Sequence, residues 1–356
     1  MRRIGSDVLK FGLGALRTTR AHKVLGSGWR GMGAVFMLHR VVEAMPDAGN
    51  SNLDFAPNRI LEVTPAFLDA VITRVRAIGY EIVTLDEMAK RLRRGGPGPF
   101  AVFTFDDGYL DNAELALPIF EKHEAPFAVY VASDLPDGSA DLWWLTLEAS
   151  IAALDHIEME IGGEVIAHSA QTNVEKRGAW ESVYWRLRDI SEDDARHAIA
   201  KLAGLAGVDG QALARGLAMT WDQVRMLHAH PLCTIGAHTA SHYALAKLSR
   251  ERAREDMMAG TARLEAELGS RPAHFAYPYG DEGSAGAREF DLATAQRFAT
   301  AVTTRKGLLF PDHGNHLRAL PRLSLNGDFQ DVDLVEVLLG GAPFALWNKF
   351  RRVNVA

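Results

Sequence analysis

The chain has 356 residues, of which 47% are hydrophobic and 24% charged, and its net charge at pH 7 is −6. These values are typical of a soluble protein of one or two domains, and the charge does not indicate a nucleic-acid partner. The single cysteine, Cys233, excludes an intramolecular disulfide and a cysteine-cluster metal site. Its apolar neighbours predict a buried structural thiol and not a nucleophile.

Residues 1–30 carry seven basic side chains and one acid, Asp7, among apolar residues. The apolar part is far shorter than the roughly 20 residues of a membrane span. It is interrupted by Lys10 and two glycines and is followed by no clear cleavage site, so we do not expect a secretory signal. Two interpretations remain: a solvated arm packed on the domain, or an amphipathic segment on an anionic membrane surface. We therefore expect a cytoplasmic protein, with peripheral membrane contact through residues 1–30 as the alternative.

Strands and helices alternate along most of the chain. Apolar runs predict strands at 34–38, 80–85, 101–105, 127–132, 233–237, 274–277, 300–303 and 319–323. Helical spacing predicts helices at 61–78, 86–92, 113–123, 221–228, 250–268 and 291–298. Strict alternation favours a parallel sheet, and about seven or eight units favour a closed or nearly closed α/β barrel. The first strand is not followed by a Gly-x-Gly-x-x-Gly segment, which counts against a dinucleotide-binding fold.

Residues 134–220 interrupt the alternation and are predicted to form a helical insertion. They contain a strand-like piece at 157–161 and helices at 180–187 and 193–205. The pair Trp143 and Trp144 fits the core of this insertion, with stacking on a sugar ring as the alternative. The predicted organisation is a basic segment (1–30), a barrel (31–330) with its insertion, and a C-terminal tail (331–356).

Two adjacent acids, Asp106 and Asp107, follow the predicted strand at 101–105. Neighbouring carboxylates at a strand end repel each other unless a cation or a proton lies between them. Gly108 then permits a sharp turn. The pattern fits either a site or the start of a solvated loop.

Two histidines four residues apart, His238 and His242, follow the predicted strand at 233–237. They would share a face if the segment were helical. Both this pair and the acidic pair follow strands, so all four side chains would lie at the same mouth of a barrel. Two imidazoles and one carboxylate make a three-ligand metal site with open positions, and the second carboxylate is then free to act as a base.

A third segment, residues 271–280, places a strand between Arg271 and a Pro278-Tyr279-Gly280 turn. The turn would present a backbone N–H suited to a developing oxyanion, and Arg271 could hold a carboxylate with its forked donors.

These three segments resemble the motifs of the polysaccharide deacetylase family, which includes the chitooligosaccharide deacetylase of nodulation and its NodB homology domain. The motifs are Thr-Phe-Asp-Asp-Gly at 104–108, His-Thr-Ala-Ser-His at 238–242 and Arg-Pro-x-x-Phe-x-x-Pro-Tyr-Gly at 271–280. The resemblance covers about residues 34–325, with 134–220 as a departure. It implies a deformed (β/α)7–8 barrel and a metal-dependent hydrolase that removes N-acetyl groups from the amino sugars of a glycan.

The resemblance also implies roles for individual residues. Asp106 would be the general base, and Arg271 would orient it. Tyr279, in the turn with Pro278, would offer its backbone N–H to the oxyanion. The metal ligands would be Asp107, His238 and His242. The ion would most readily be Zn²⁺, with Co²⁺, Ni²⁺ and Mn²⁺ as alternatives.

The general acid is not determined by the resemblance. Family members supply a late histidine in a Leu-x-x-His-like setting, and the corresponding stretch, 317–325, contains none. His316 lies just before it, and His39, at the end of the first predicted strand, is the preferred candidate. Two alternatives to an N-deacetylase of a polysaccharide, oligosaccharide or lipid-linked glycan remain. The missing histidine leaves open a weak or inactive glycan-binding protein on the same fold. The basic amphipathic N-terminus leaves open a deformylase of a lipid-linked amino sugar.

Overall fold

The computed structural model describes residues 28–43 and 55–355. The strands are β1 Gly33–Leu38, β2 Arg40–Val41, β3 Glu62–Val63, β4 Glu81–Ile82, β5 Phe100–Phe105, β6 Phe127–Val131, β7 His156–Ile161, β8 Glu164–Ser169, β9 Cys233–Ala237, β10 His274–Ala276, β11 Thr300–Lys306 and β12 Leu320–Ser324. The helices are α1 Pro65–Ala77, α2 Leu85–Arg94, α3 Leu117–Lys122, α4 Trp143–Ala153, α5 Asn173–Asp189, α6 Glu192–Ala206, α7 Gly210–Leu217, α8 Trp221–Ala229, α9 Arg250–Leu268, α10 Ala287–Ala295, α11 Val332–Leu339 and α12 Ala342–Trp347. The amphipathic segment predicted for residues 1–30 lies almost entirely outside the described residues.

Seven of the described strands form a closed parallel barrel in the order β1-β12-β11-β10-β9-β6-β5, and β5 pairs back with β1 along its whole length. The short strand β4 pairs with the first two residues of β5, before the segment that pairs with β6. This arrangement confirms the predicted (β/α) barrel. The strands β1 and β5 are buried at every position, as expected for strands covered on both faces.

Successive residues of a barrel strand point alternately to the surrounding helices and to the interior. In β5, Phe103 and Phe105 pack with the helices, whereas Val102 belongs to the apolar cluster inside the barrel. The same alternation directs Thr104 and Asp106 inward. Because all seven strands are parallel, the residues that follow them meet at one mouth of the barrel.

Helix boundaries follow from local chemistry. The helix α1 begins at Pro65, later than the predicted 61, because Thr64 caps it by accepting a hydrogen bond from the Phe67 N–H. The predicted helix at 113–123 is divided into a π-helical turn, Asn112–Ala116, and α3, which has a proline at its start. Proline lacks the N–H that would continue the regular hydrogen-bond ladder.

The insertion has its own apolar core, formed by α4 to α7 and a β-hairpin. The hairpin pairs β7 with β8, a strand that the sequence analysis missed. Gly162 and Gly163 form its turn with φ of 62° and 84°. Two positive φ values are the requirement of the tightest hairpin turns, so this Gly-Gly pair was a usable signal.

Residues 331–356, predicted to be a tail, contain α11 and α12. The buried side chains of Val335, Leu339 and Phe344 fix these helices to the main core. Arg74 on α1 bridges Asp333 and Glu336 at the start and middle of α11. Within the described residues, no helix combines the length and the apolarity that crossing a lipid bilayer requires.

Candidate metal and catalytic centre

Asp106, at the end of β5, lies in a buried ion pair with Arg322 of β12. The two guanidinium nitrogens of Arg322 lie 2.7 Å and 2.6 Å from the two carboxylate oxygens. Arg322 also donates to the Thr303 carbonyl and to the Thr104 hydroxyl. Both partners of the pair are nearly inaccessible to solvent. This two-pronged geometry fixes the orientation of the Asp106 carboxylate.

Asp107 and Gly108 turn the chain sharply at the mouth. Asp107 has φ of 75° and Gly108 has φ of 99°. Glycine is favoured at position 108 for two reasons. The backbone is left-handed there, and a side chain would contact the Val131 side chain closely. The turn directs Asp107 away from Asp106 and toward the loop after β9.

His238 and His242 lie on that loop, which is not helical. The condition under which the sequence predicted a shared face for the two histidines is therefore not met. Left-handed backbone at Thr239 (φ 64°) and His242 (φ 56°) bends it back. The Thr239 hydroxyl accepts a hydrogen bond from the His242 N–H at 3.0 Å. The bend of the loop, and not a shared helical face, places both imidazoles beside Asp107.

Asp107, His238 and His242 each offer one ligand atom, and these atoms lie within 4.8 Å of one another. The Asp107 Oδ1 atom is 3.3 Å from His238 Nε2 and 3.2 Å from His242 Nε2. His238 Nδ1 lies 2.8 Å from the Ala276 carbonyl, which can only accept, so Nδ1 carries the proton. The Nε2 lone pair therefore faces a carboxylate oxygen, an arrangement that needs a cation or a proton between them.

This donor set fits a divalent cation. Two imidazole nitrogens and one carboxylate oxygen suit Zn²⁺, and the carbonyl that fixes the His238 ring is the usual outer partner of a metal-binding histidine. All three side chains are buried, and Asp107 Oδ1 has no hydrogen-bond partner. A bound cation would satisfy this oxygen.

Both carboxyls are held ionised by their neighbours. Burial raises the pKa of Asp106, but Arg322, with smaller reductions from His238 and His39, outweighs this effect, so the pKa lies below its ordinary value. Burial likewise raises the pKa of Asp107, and the neighbouring imidazoles of His238 and His242 reverse this and leave the pKa well below its ordinary value.

The two candidate acids lie at opposite ends of the barrel. His39 directly follows β1, and its carbonyl accepts a hydrogen bond from Asn112. Because it lies at the carboxyl end of a barrel strand, it is placed at the same mouth as Asp106 and Asp107. His316 is exposed and lies four residues before β12 begins. Because the strands are parallel, that position is at the opposite end from the site, and His316 as a catalytic acid was wrong.

Arg271 does not reach Asp106. It precedes β10, at the end of the barrel away from the mouth, and donates to the Gln296 carbonyl at 2.7 Å. Its guanidinium lies over the Phe298 ring. The expectation that Arg271 orients Asp106 was therefore wrong, and Arg322 occupies that place.

The Pro278-Tyr279-Gly280 turn does lie at the mouth. Tyr279 has left-handed backbone, with φ of 59°, and its ring centroid is 4.9 Å from that of His242. The Pro278 carbonyl accepts a hydrogen bond from the Gly280 N–H and is thereby engaged within the turn. Burial raises the pKa of the Tyr279 hydroxyl, so its side chain stays neutral.

The insertion forms one wall of the centre. The Trp144 ring lies 4.9 Å from the His242 ring, and Trp143 donates to the Tyr279 hydroxyl at 2.7 Å. Arg188 of α5 stacks on Tyr279, with its guanidinium 3.8 Å from the ring centroid. Both tryptophans are buried, as the core interpretation predicted, and they also limit movement of His242 and Tyr279.

Sequence reasoning missed Arg322. The signal available was an arginine in an otherwise apolar barrel strand, Leu320–Ser324, two positions from an inward-facing leucine. The period of two along a strand directs Arg322 inward as well. A buried interior arginine requires an acid, and the inward-facing Asp106 is the partner found.

The order of the motifs and the geometry of the centre agree with a comparison of the sequence with models of protein families. The sequence model of the polysaccharide deacetylase family matches residues 93–290, which is more than half of the chain. The chain belongs to the polysaccharide deacetylase family. It is accordingly a hydrolase of the carbohydrate esterase class that acts on amide bonds. The matched residues include the acidic pair and both histidines but neither His39 nor Arg322.

Solved structures share the fold at low sequence identity. The Streptococcus pyogenes deacetylase PplD in complex with acetate aligns with a TM-score of 0.55 at 16% identity, covering 86% of this chain and 97% of that one. IcaB from Ammonifex degensii gives 0.52 at 20% identity with the same coverages. The de-N-acetylase from Aggregatibacter actinomycetemcomitans gives 0.53 at 13% identity, covering 86% and 99%. No curated protein sequence matches the chain significantly.

Proposed function

We propose that this chain is a metal-dependent N-deacetylase that releases acetate from N-acetylated amino sugars of a glycan. The observation that carries the proposal is the Asp107–His238–His242 cluster beside an Asp106 carboxylate that Arg322 holds in place. Family membership supports glycan deacetylation, and acetate in the structure of the Streptococcus pyogenes relative supports acetyl as the acyl group.

Asp107, His238 and His242 would hold the divalent cation. When bound, such an ion polarises the acyl oxygen and lowers the pKa of a coordinated water. The set would accept Zn²⁺, Co²⁺, Ni²⁺ or Mn²⁺ to different degrees, and we propose Zn²⁺ because two imidazoles and one carboxylate are a common catalytic zinc set.

Asp106 would act as the general base. The attacking water adds its oxygen to the acyl carbon and gives one proton to the Asp106 carboxylate. Arg322 keeps this carboxylate ionised and aimed at the mouth. The Tyr279 backbone N–H would donate to the oxyanion that forms on the acyl oxygen.

His39 would act as the general acid. As the carbon–nitrogen bond breaks, the amine nitrogen takes a proton from the imidazolium and leaves as the free amino sugar, and the acyl group leaves as acetate. The position of His39 directly after β1, at the same mouth as both aspartates, supports this role.

The direct test measures acetate release from a panel of N-acetylated saccharides, polymeric, oligomeric and lipid-linked, in the presence of Zn²⁺ or Co²⁺. Wild type should release acetate, and Asp106→Asn should lower the rate by about 10²–10⁴-fold. The matched control is Asp222→Asn, which alters an exposed acid on α8 and should leave the rate unchanged.

The outcomes separate the alternatives. Release of formate from a formylated substrate, in place of acetate, would change the proposed acyl group but leave the assigned site residues unchanged. Saccharide binding with no acyl release above the Asp106→Asn background would overturn the proposed activity.

A further inference from the structure

Large apolar side chains are exposed at the C-terminal end of the described residues. Leu346 is 68% exposed, Trp347 52% and Phe350 65%. Of ten exposed large apolar residues in the described ranges, these three lie within five consecutive positions, whereas the other seven lie in seven different elements. Single exposed apolar residues are common on proteins, but a contiguous group of them marks an interaction surface.

Cations accompany this group in the sequence. Lys349, Arg351 and Arg352 are exposed, and residues 337–356 contain no Asp or Glu. Lys306, at the end of β11, lies with its ammonium 3.7 Å from the Trp347 ring centroid. We call Leu346, Trp347, Lys349, Phe350, Arg351 and Arg352 the C-terminal patch.

Gly28 and Trp29, at the start of the described residues, contact the patch. Trp29 contacts Phe350, with ring centroids 5.9 Å apart, and Arg352 donates to the Gly28 carbonyl at 2.8 Å. Residues 1–27, which lead into this point, carry six basic residues and one acid in the sequence. The first described residues, Gly28 and Trp29, thus contact the end of the chain, and the sequence that precedes them is basic.

We propose that the C-terminal patch is a docking face for an anionic phospholipid bilayer. Trp, Phe and Leu enter the boundary between headgroups and acyl chains, and Lys and Arg side chains remain with the phosphates. The cations favour an anionic lipid surface over a second copy of the chain, because symmetric pairing of the patch would place like charges against each other. This inference is independent of the proposed deacetylation and of the metal site.

The test is sedimentation of the full chain with vesicles of phosphatidylcholine alone or mixed with 30% phosphatidylglycerol, a composition on the order of an anionic cell membrane. The wild type should bind the anionic vesicles at low salt, bind less at high salt, and bind the neutral vesicles weakly. Lys349→Gln combined with Arg351→Gln should lower the partition coefficient about 25-fold, at about fivefold for each cation. Leu346→Ser should lower it about fivefold, because Leu346 is mostly exposed and would lose contact with lipid only.

Matched controls come from exposed residues elsewhere. Lys201→Gln and Leu205→Ser alter exposed positions of α6, and both variants should bind vesicles as the wild type does. Circular dichroism and acetate release should be unchanged in all patch variants, since none of the replaced residues belongs to the centre.

Three results would overturn the proposal. The wild type fails to bind anionic vesicles at low salt. The patch variants bind as the wild type does while Arg17→Gln, Arg20→Gln and Lys23→Gln together remove binding, so the N-terminal residues alone carry it. Or the wild type is a dimer that the patch variants convert to a monomer, which would make the face an interface between copies.

Discussion

The buried Asp106–Arg322 pair determines the charge state of the proposed base. Both side chains are removed from water, and each compensates the desolvated charge of the other. Arg271 carries the same charge but lies at the far end of the barrel on Phe298. Replacing Arg322 and replacing Arg271 should therefore have different consequences.

Arg322→Met should destabilise the fold by about 3–5 kcal/mol, because it leaves Asp106 buried without a partner. It should also lower acetate release strongly. Arg271→Met should cost about 1 kcal/mol or less, the value of a cation–π contact at a surface. Urea unfolding and acetate assays on both variants provide the measurement.

Combining Arg322→Met with Asp106→Asn should recover part of the lost stability, because the unpaired charge is then absent. Equal stability losses for Arg322→Met and Arg271→Met would contradict the assigned pairing.

At the scale of elements, helix α9 supports the loop that carries both histidines. Gly260 of α9 packs so closely that a Cβ there would lie 2.2 Å from the Thr239 carbonyl. The loop is already bent through left-handed residues at Thr239 and His242. Strained backbone of this kind persists only where neighbouring structure holds it, and it is concentrated at functional sites.

Gly260→Ala should therefore displace the loop and weaken metal binding by about tenfold or more, with a loss of about 1–3 kcal/mol in the free energy of unfolding from overpacking. Gly204→Ala is the control, because Gly204 lies in α6 with open space around its Cβ position. That variant should be slightly stabilised, by about 0.5–1 kcal/mol, as alanine favours helix. Titration calorimetry with Zn²⁺ would show the difference, and equal affinities would exclude a supporting role for α9.

At the scale of the whole molecule, the stability of the fold should depend on pH through a histidine that lies outside the candidate metal and catalytic centre. Burial lowers the pKa of His313, in the turn before β12, from its ordinary 6.5 to about 4. The unfolded chain takes up a proton on this side chain below pH 6.5, whereas the folded chain does so only near pH 4. Stability is therefore lost as pH falls from 6.5 to 4, by at most about 3 kcal/mol.

His313→Asn should remove this pH dependence. The asparagine carbonyl can replace Nδ1 as the acceptor for the Phe310 N–H. The stability of the wild type relative to the variant should decrease as pH falls through that window, as measured by urea unfolding at several pH values. His156→Asn, at an exposed position, should follow the wild type at every pH. Parallel curves for wild type and His313→Asn would contradict the account.

The barrel could be predicted from the sequence because its parallel strands are apolar runs separated by helical patterns, and both signals are local in the sequence. The proximity of Asp107, His238 and His242 could also be predicted, since each residue follows a strand of the same sheet. The predicted positions of Arg271 and His316 were wrong because both residues precede their strands and so lie at the opposite end of the barrel. Strand boundaries predicted from sequence are uncertain by a few residues, and these boundaries decide at which end of a strand a residue lies. The Asp106–Arg322 pair spans 216 positions, and only the closed order of strands reveals it.

The most direct test of the account is the metal content of the purified chain, measured by native mass spectrometry and elemental analysis before and after a chelator. We expect one divalent ion per wild-type chain, lost from a His238→Ala, His242→Ala double variant and retained in Asp106→Asn, whose altered residue is not a ligand. A wild-type chain that binds no divalent ion, or a double variant that binds it as tightly as the wild type, would contradict the assignment of this centre.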